Sequence, residues 1–177
     1  INMVLQRCVS NIDVNSLYIF DKIFLIMKLR ELSYGKDFSA IVTCKSCRAD
    51  TNVTFDLSIL PVNVVPESFG SVVTIALPAI QKEAQVRIPR VADEPYFRGT
   101  DLLGNLWRFV LSVDGHDNKE IISAVISKLP VRDIHTIVNY ISGEKFGIQS
   151  TVKFMCDHCQ DVSIMELPIE SNFFSVT

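Results

Sequence analysis

Two Cys-x-x-Cys pairs, Cys44-Lys-Ser-Cys47 and Cys156-Asp-His-Cys159, constrain this chain more than any other feature. They use four of its five cysteines, and their surroundings repeat. Ile41-Val42-Thr43 leads into the first pair, and Val53-Thr54-Phe55-Asp56-Leu57 follows it. Val152-Lys153-Phe154-Met155 leads into the second, and Val162-Ser163-Ile164-Met165-Glu166-Leu167 follows. Each half reads as strand, tight turn with two thiols, strand. The two-residue spacer lets a turn aim both sulfurs at one ion, and Zn²⁺ accepts four thiolates in a tetrahedron at roughly 2.3 Å. The pattern predicts a zinc-ribbon-like pair of β knuckles holding one structural zinc ion through Cys44, Cys47, Cys156 and Cys159. An iron–sulfur cluster on the same ligands is the alternative, because spacing separates the metals poorly. Disulfides, which need an oxidising compartment or a redox role, and unliganded thiols are the remaining options. Arg48 and Gln160 stand where such turns often carry glycine after the second cysteine. Cys8 stands apart and reads as an ordinary buried cysteine.

More than a hundred residues separate the pairs, against roughly 15 to 20 in a compact ribbon. Loop-closure cost grows only logarithmically, so the insertion is no obstacle. The chain reads as a single α+β domain over 1–177, with a long insertion of short strands and about three helices joining the knuckles. The first knuckle covers 38–60 and the second 149–168. Between them lie a proline-rich β and loop segment, 61–98, and a helical segment, 99–143.

Periodicity fills in the elements. Ser16 to Tyr34 reads as a helix capped by Asn15 or Ser16 and ended by Gly35. Its apolar residues cover most of its circumference, so burial on several sides or against a partner is expected. Five of the seven prolines fall between Pro61 and Pro95, which limits that stretch to short edge strands, best placed at Val72–Leu77 and Val86–Val91. Leu103, Leu106, Trp107 and Val110 fit one helix face, closed at Asp114-Gly115. Asp117 and Glu120 fit a capping box for the next helix, with Ile121, Ile122, Val125, Ile126 and Leu129 on its stripe. Pro130 opens a further helix presenting Val131, Ile134, Ile137, Val138 and Ile141.

Composition excludes several classes. At 48% apolar and 21% charged the chain has ample surface for a folded core. A formal charge of −3 and the absence of a cationic cluster argue against a general nucleic-acid binder. The most apolar stretch, Leu17 to Leu32, carries Asp21, Lys22, Lys28, Arg30 and Glu31, so a membrane span is not expected and the protein reads as soluble. His116, His135 and His158 read as turn, helix-surface and turn residues, and no nucleophile, phosphate-loop or dinucleotide signature is present. The reading is of a non-enzymatic protein. Its apolar surplus, with Phe20 and Phe24 in the long helix and Phe173 and Phe174 in the tail, marks candidate partner-binding surfaces and a possible homo-oligomer.

The two cysteine pairs, the strand Val162-Ser-Ile-Met-Glu-Leu167 and the ending Asn172-Phe173-Phe174 resemble the small baseplate hub proteins of contractile-tailed bacteriophages of the T-even type. The size is similar to that of the distal hub subunit or hub assembly proteins of this group, and about half the chain carries the resemblance. It implies a virion or assembly protein of the tail baseplate, built in the host cytoplasm among other hub and spike proteins. The four cysteines carry over as metal ligands; no catalytic residue does.

Overall fold

A computed structural model describes residues 1–67, 69–97, 102–142, 146–167, 169 and 171–174. It contains α1 (Asn2–Cys8), α2 (Ile19–Tyr34), β1 (Asp37–Thr43), β2 (Asp50–Asp56), β3 (Val62–Asn63), β4 (Val72–Leu77) and β5 (Lys82–Arg87). Then follow α3 (Leu102–Asn105), β6 (Val110–Val113), α4 (Lys119–Ile126), α5 (Val131–Ile141), β7 (Gly147–Ile148), β8 (Thr151–Met155) and β9 (Val162–Glu166). The expected α+β class holds. The residues divide into two compact units: Ile1–Lys22 with Val64–Gly147, and Ile23–Asn63 with Ile148–Thr177.

The first unit is built on the antiparallel sheet β4-β5-β6. Alternation puts Ile75 and Leu77 of β4 and Ala84 and Val86 of β5 on one face, where they meet Ile122, Ile126, Ile137 and Ile141 of α4 and α5. The α5 stripe is genuine from its middle to its end, with Ile137 and Ile141 buried, but Val131 at its first turn is 70% exposed. The proline-rich stretch thus supplies a β layer over the core. Its first strand lies at Val72–Leu77 as expected, while the second begins earlier, at Lys82.

Three local expectations are corrected. The helix expected through Leu103, Leu106, Trp107 and Val110 lasts one turn, continues as a 3₁₀ turn over Leu106–Arg108, and gives way to β6. Val110 pairs with Val86 and Val113 with Ala84, so sheet pairing of buried valines overrides a pattern that fits a helix over only two turns. The start of α4 is capped by Asn118, whose Oδ1 accepts from the Glu120 and Ile121 amides, rather than by Asp117. The long helix begins at Ile19, after a separate 3₁₀ turn over Val14–Ser16 capped by Asp13. Its end is as expected: Gly35 has φ +88° and its amide donates to the Glu31 carbonyl.

Phe20 lies in an aromatic group of the first unit, with centroids 5.1 Å from Tyr18, 6.4 Å from Phe69 and 5.6 Å from Phe146. Gly147, at φ +76°, closes over it so tightly that a Cβ there would sit 2.9 Å from the Phe20 Cβ.

The second unit carries two antiparallel hairpins, β1-β2 and β8-β9. Phe38 faces Phe55 across the first, and Phe154 faces Ser163 across the second. All four are buried. Phe173, in a final 3₁₀ turn over Ser171–Phe174, is fully enclosed with its ring centroid 5.0 Å from that of Phe38. Buried Arg30 of α2 donates from Nε to the Phe173 carbonyl at 2.9 Å, which fixes the turn.

Candidate metal centre

The second unit's hairpins turn at the two cysteine pairs, and the turns are built alike. In the first, the Cys44 amide donates to the Ala49 carbonyl and the Arg48 amide to the Cys44 carbonyl, each at 2.9 Å. In the second, the Cys156 amide donates to the Asp161 carbonyl and the Gln160 amide to the Cys156 carbonyl, again at 2.9 Å. Closing either turn requires a left-handed residue after the second cysteine. Arg48 at φ +61° and Gln160 at φ +60° supply it without being glycine.

These turns bring the four sequence-predicted cysteines together. Their sulfurs all lie within 4.8 Å of one another. Cys44 Sγ stands 3.7 Å from Cys159 Sγ, and Cys47 Sγ stands 3.6 Å from Cys156 Sγ. Ligands about 2.3 Å from a tetrahedral ion are roughly 3.8 Å apart, so the spacing suits one ion at the centre. Cys44 and Cys156 are buried while Cys47 and Cys159 are exposed, and all four are free thiols. The pairs are therefore not disulfides.

The surrounding donors favour sulfur carrying negative charge. The Thr51 hydroxyl donates to Cys156 Sγ at 3.4 Å, and the Cys159 and His158 amides donate to the same sulfur. Led by the Thr51 bond, these donors lower the Cys156 thiol to about 6. The Ala49 amide and the Cys159 sulfur pull the Cys47 thiol down, but desolvation and the Cys156 and Cys44 sulfurs outweigh them and the net shift is upward. The Asp161 amide does the same for Cys159, whose burden of desolvation and adjacent sulfurs pushes it up to about 12. The Cys156 thiolate is thus easy to form while Cys47 and Cys159 resist, because like charges this close repel. A bound cation removes that conflict, so the donor set fits a metal ion.

Sequence reasoning did not identify Thr51. The available signal was strand alternation, which puts Thr51 on the same side of β2 as buried Phe55. It also missed the bond from the Ser46 hydroxyl to the Asp161 carboxylate, which ties one knuckle to the other. His158 is exposed and supplies its backbone amide to the site. Cys8 lies on the surface, contrary to the expectation of a buried cysteine. Of the four phenylalanines expected at partner surfaces, Phe20 and Phe173 are core residues of this chain. Phe24 and Phe174 are half-buried.

Among the described residues no helix is long and apolar enough to cross a membrane. No curated protein and no solved structure matches the chain. The family model described as T4 bacteriophage base plate protein matches residues 1–175, and the chain belongs to that family.

Proposed function

We propose that the chain is a non-enzymatic structural or assembly component of the central hub of a phage tail baseplate, with one zinc ion holding its two knuckles together. Four converging thiols in a chain matched almost end to end by a baseplate family carry this reading. The family supports a structural role at the virion tail among other baseplate proteins; the Cys-x-x-Cys pairs and the Asn172-Phe173-Phe174 ending support the hub and its spike-associated proteins within it. Assembly takes place in the host cytoplasm. Phe24 and Phe174 remain the candidate contact residues from the original set of four, and a homo-oligomer fits the same role.

The ion supplies positive charge for the thiolates. Everything else at the site is done by the chain: the knuckle amides and Thr51 orient the sulfurs, and Ser46 and Asp161 join the turns. Sulfur separations of 3.6 and 3.7 Å support a single ion over a multi-iron cluster, in which the thiolates bind different irons and stand farther apart. Elemental analysis with a visible spectrum separates the metals. One zinc per chain and no colour is expected, whereas iron with visible absorption overturns the zinc assignment.

The role itself is tested in a phage whose gene for this chain is interrupted. Electron microscopy should find tail assembly stopped before a complete baseplate, with recovery when the chain is supplied in trans. Normal tails would remove the proposed role. Density for the chain at the periphery of the native baseplate would remove the hub placement alone.

A further inference from the structure

Trp107, the single tryptophan of the chain, stands half-buried where three adjoining depressions of the first unit meet. On one side is an apolar hollow of about 200 Å³ bounded by Leu103 and Ile126. On the other is an open groove of about 400 Å³ that runs past Tyr96, Arg108 and Lys119. Leu103 is 57% exposed, so the hollow opens to solvent.

Arg108 is the centre of this arrangement. Its guanidinium lies 4.2 Å from the Tyr96 ring centroid and 4.6 Å from that of Trp107, and its Nε donates to Asn105 Oδ1 at 3.0 Å. Among the described residues no carboxylate forms an ion pair with it. Arg87, in the same groove, differs: both of its terminal nitrogens are taken by Asp93, at 2.7 and 2.9 Å. Two aromatic faces and an amide thus hold the Arg108 guanidinium in place before any ligand arrives, which reduces the ordering cost of binding. A held guanidinium of this kind suits bidentate recognition of a carboxylate.

The charge balance selects the class of ligand. Arg87, Arg108 and Lys119 line the groove with Asp93 and Asp117, leaving one surplus positive charge on a chain whose formal charge is −3. A nucleic-acid backbone needs several cations in file. A single carboxylate needs one. Tryptophan, tyrosine and arginine are also the residues that carry most binding energy at protein interfaces.

From these observations we infer that the Trp107 groove docks a segment of another baseplate protein in which a carboxylate stands beside an apolar side chain. Arg108 takes the carboxylate, with Lys119 as a second cation at the rim, and the hollow between Leu103 and Ile126 takes the apolar side chain. The identity of the partner as a baseplate protein rests on the proposed function.

Trp107 makes the groove its own reporter. The full chain, loaded with metal, is titrated with overlapping peptides spanning the phage's other baseplate proteins while tryptophan emission is followed. The expected result is saturable change with peptides carrying Asp or Glu next to Leu, Ile, Phe or Met. Replacing that acid by its amide, which leaves this chain untouched, should weaken binding at least tenfold. Arg108→Gln should do the same, with Arg108→Lys recovering only part of the loss. No response from any peptide up to millimolar concentration overturns the inference, as does a response indifferent to the acid-to-amide change. A salt-sensitive response to single-stranded DNA in place of peptides would assign the groove to nucleic acid and also overturn it. The interrupted-gene phage separates the two readings: stalled tails with no peptide response leave the baseplate role and remove the groove.

Discussion

Arg48 and Gln160 share a left-handed backbone, φ +61° and +60°, one residue after the second cysteine of each knuckle. A side chain at such a φ costs about 1–2 kcal/mol, and glycine relieves that while adding about 0.4–1 kcal/mol of unfolded-chain freedom. Arg48→Gly and Gln160→Gly should therefore range from neutral to about 1 kcal/mol more stable. A β-branched valine should cost about 1 kcal/mol or more at either position. Denaturant unfolding of the metal-loaded protein checks this, and equal stability for Gly and Val variants would show that the turns do not need this backbone.

The cysteines differ sharply in what they hold. Cys44 and Cys156 are buried members of the four-thiol group, while Cys8 is an exposed thiol outside it. Binding free energy at a structural metal site is folding free energy. Cys44→Ser or Cys156→Ser should lose the metal and more than about 3 kcal/mol of stability, with Cys8→Ser unchanged. Elemental analysis and thermal melts, with and without chelator, read both effects. Unaltered melting of the two cluster variants would sink the claim.

Metal affinity should rise with pH. Near neutrality the Cys156 thiol, lowered to about 6, is already largely ionised, whereas Cys47 is raised and Cys159 is pushed up to about 12. Metal binding must expel the protons from the latter two, and each proton expelled steepens the affinity by about tenfold per pH unit. Below about 6 the Cys156 thiol is protonated as well and the fall becomes steeper. Calorimetry in buffers of different ionisation enthalpy counts the protons. A release of zero would exclude ligation by these thiols as thiolates.

How much of this was legible in the sequence follows from how local each feature is. The cysteine site was readable because two spaced thiols between alternating strands leave few other arrangements, and α4 and α5 because their stripes exceed two turns. Strand β6 was not, since Val110-Leu-Ser-Val113 becomes a strand only through pairing with β5, far earlier in the chain. The partners of Phe20 and Phe173 were equally invisible. Phe20 meets Phe69 and Phe146, and Phe173 meets Phe38 and Arg30, all distant in sequence. An apolar count could register the surplus, but only tertiary packing decides which rings it covers.

The β1-β2 hairpin of the second unit has its own acid sensitivity. Lys36 Nζ lies 2.6 Å from Asp56 Oδ2, and the Ser58 amide donates to Asp56 Oδ1 at 2.9 Å. The lysine contact, then the serine donors, lower Asp56 to about 2. Its folded value is depressed, so its contribution is full above the ordinary aspartate value of 3.8 and is lost as pH falls through about 2. Lys36 is shifted the other way, raised first by its bond to Asp56, and its contribution is lost only at strongly alkaline pH. Lys36→Met should flatten the stability profile between pH 4 and 2, measured by urea unfolding on chelator-treated protein so that thiol protonation of the metal site does not enter. An unchanged acid limb would remove this pair as its source.

In the first unit, Asp133 is fully buried in the first turn of α5 and accepts from two successive amides, Ala79 at 2.8 Å and Ile80 at 3.1 Å. Those amides belong to the turn between β4 and β5, so one carboxylate ties the helix to the hairpin that supplies two of the three strands of the core sheet. Hydrogen bonds to a charged group contribute about 1.5–3 kcal/mol, and a truncated acceptor leaves both donors without their partner. Asp133→Ala should cost about 2–4 kcal/mol by denaturant midpoint. Asp133→Asn keeps one acceptor oxygen and turns an N–H₂ toward a donor, so it should recover only part of that loss. Hydrogen exchange at Ala79 and Ile80 reports the same contact directly: both amides should be slow in the native protein and fast in Asp133→Ala. Slow exchange in the variant would mean that the turn is held by something other than this carboxylate.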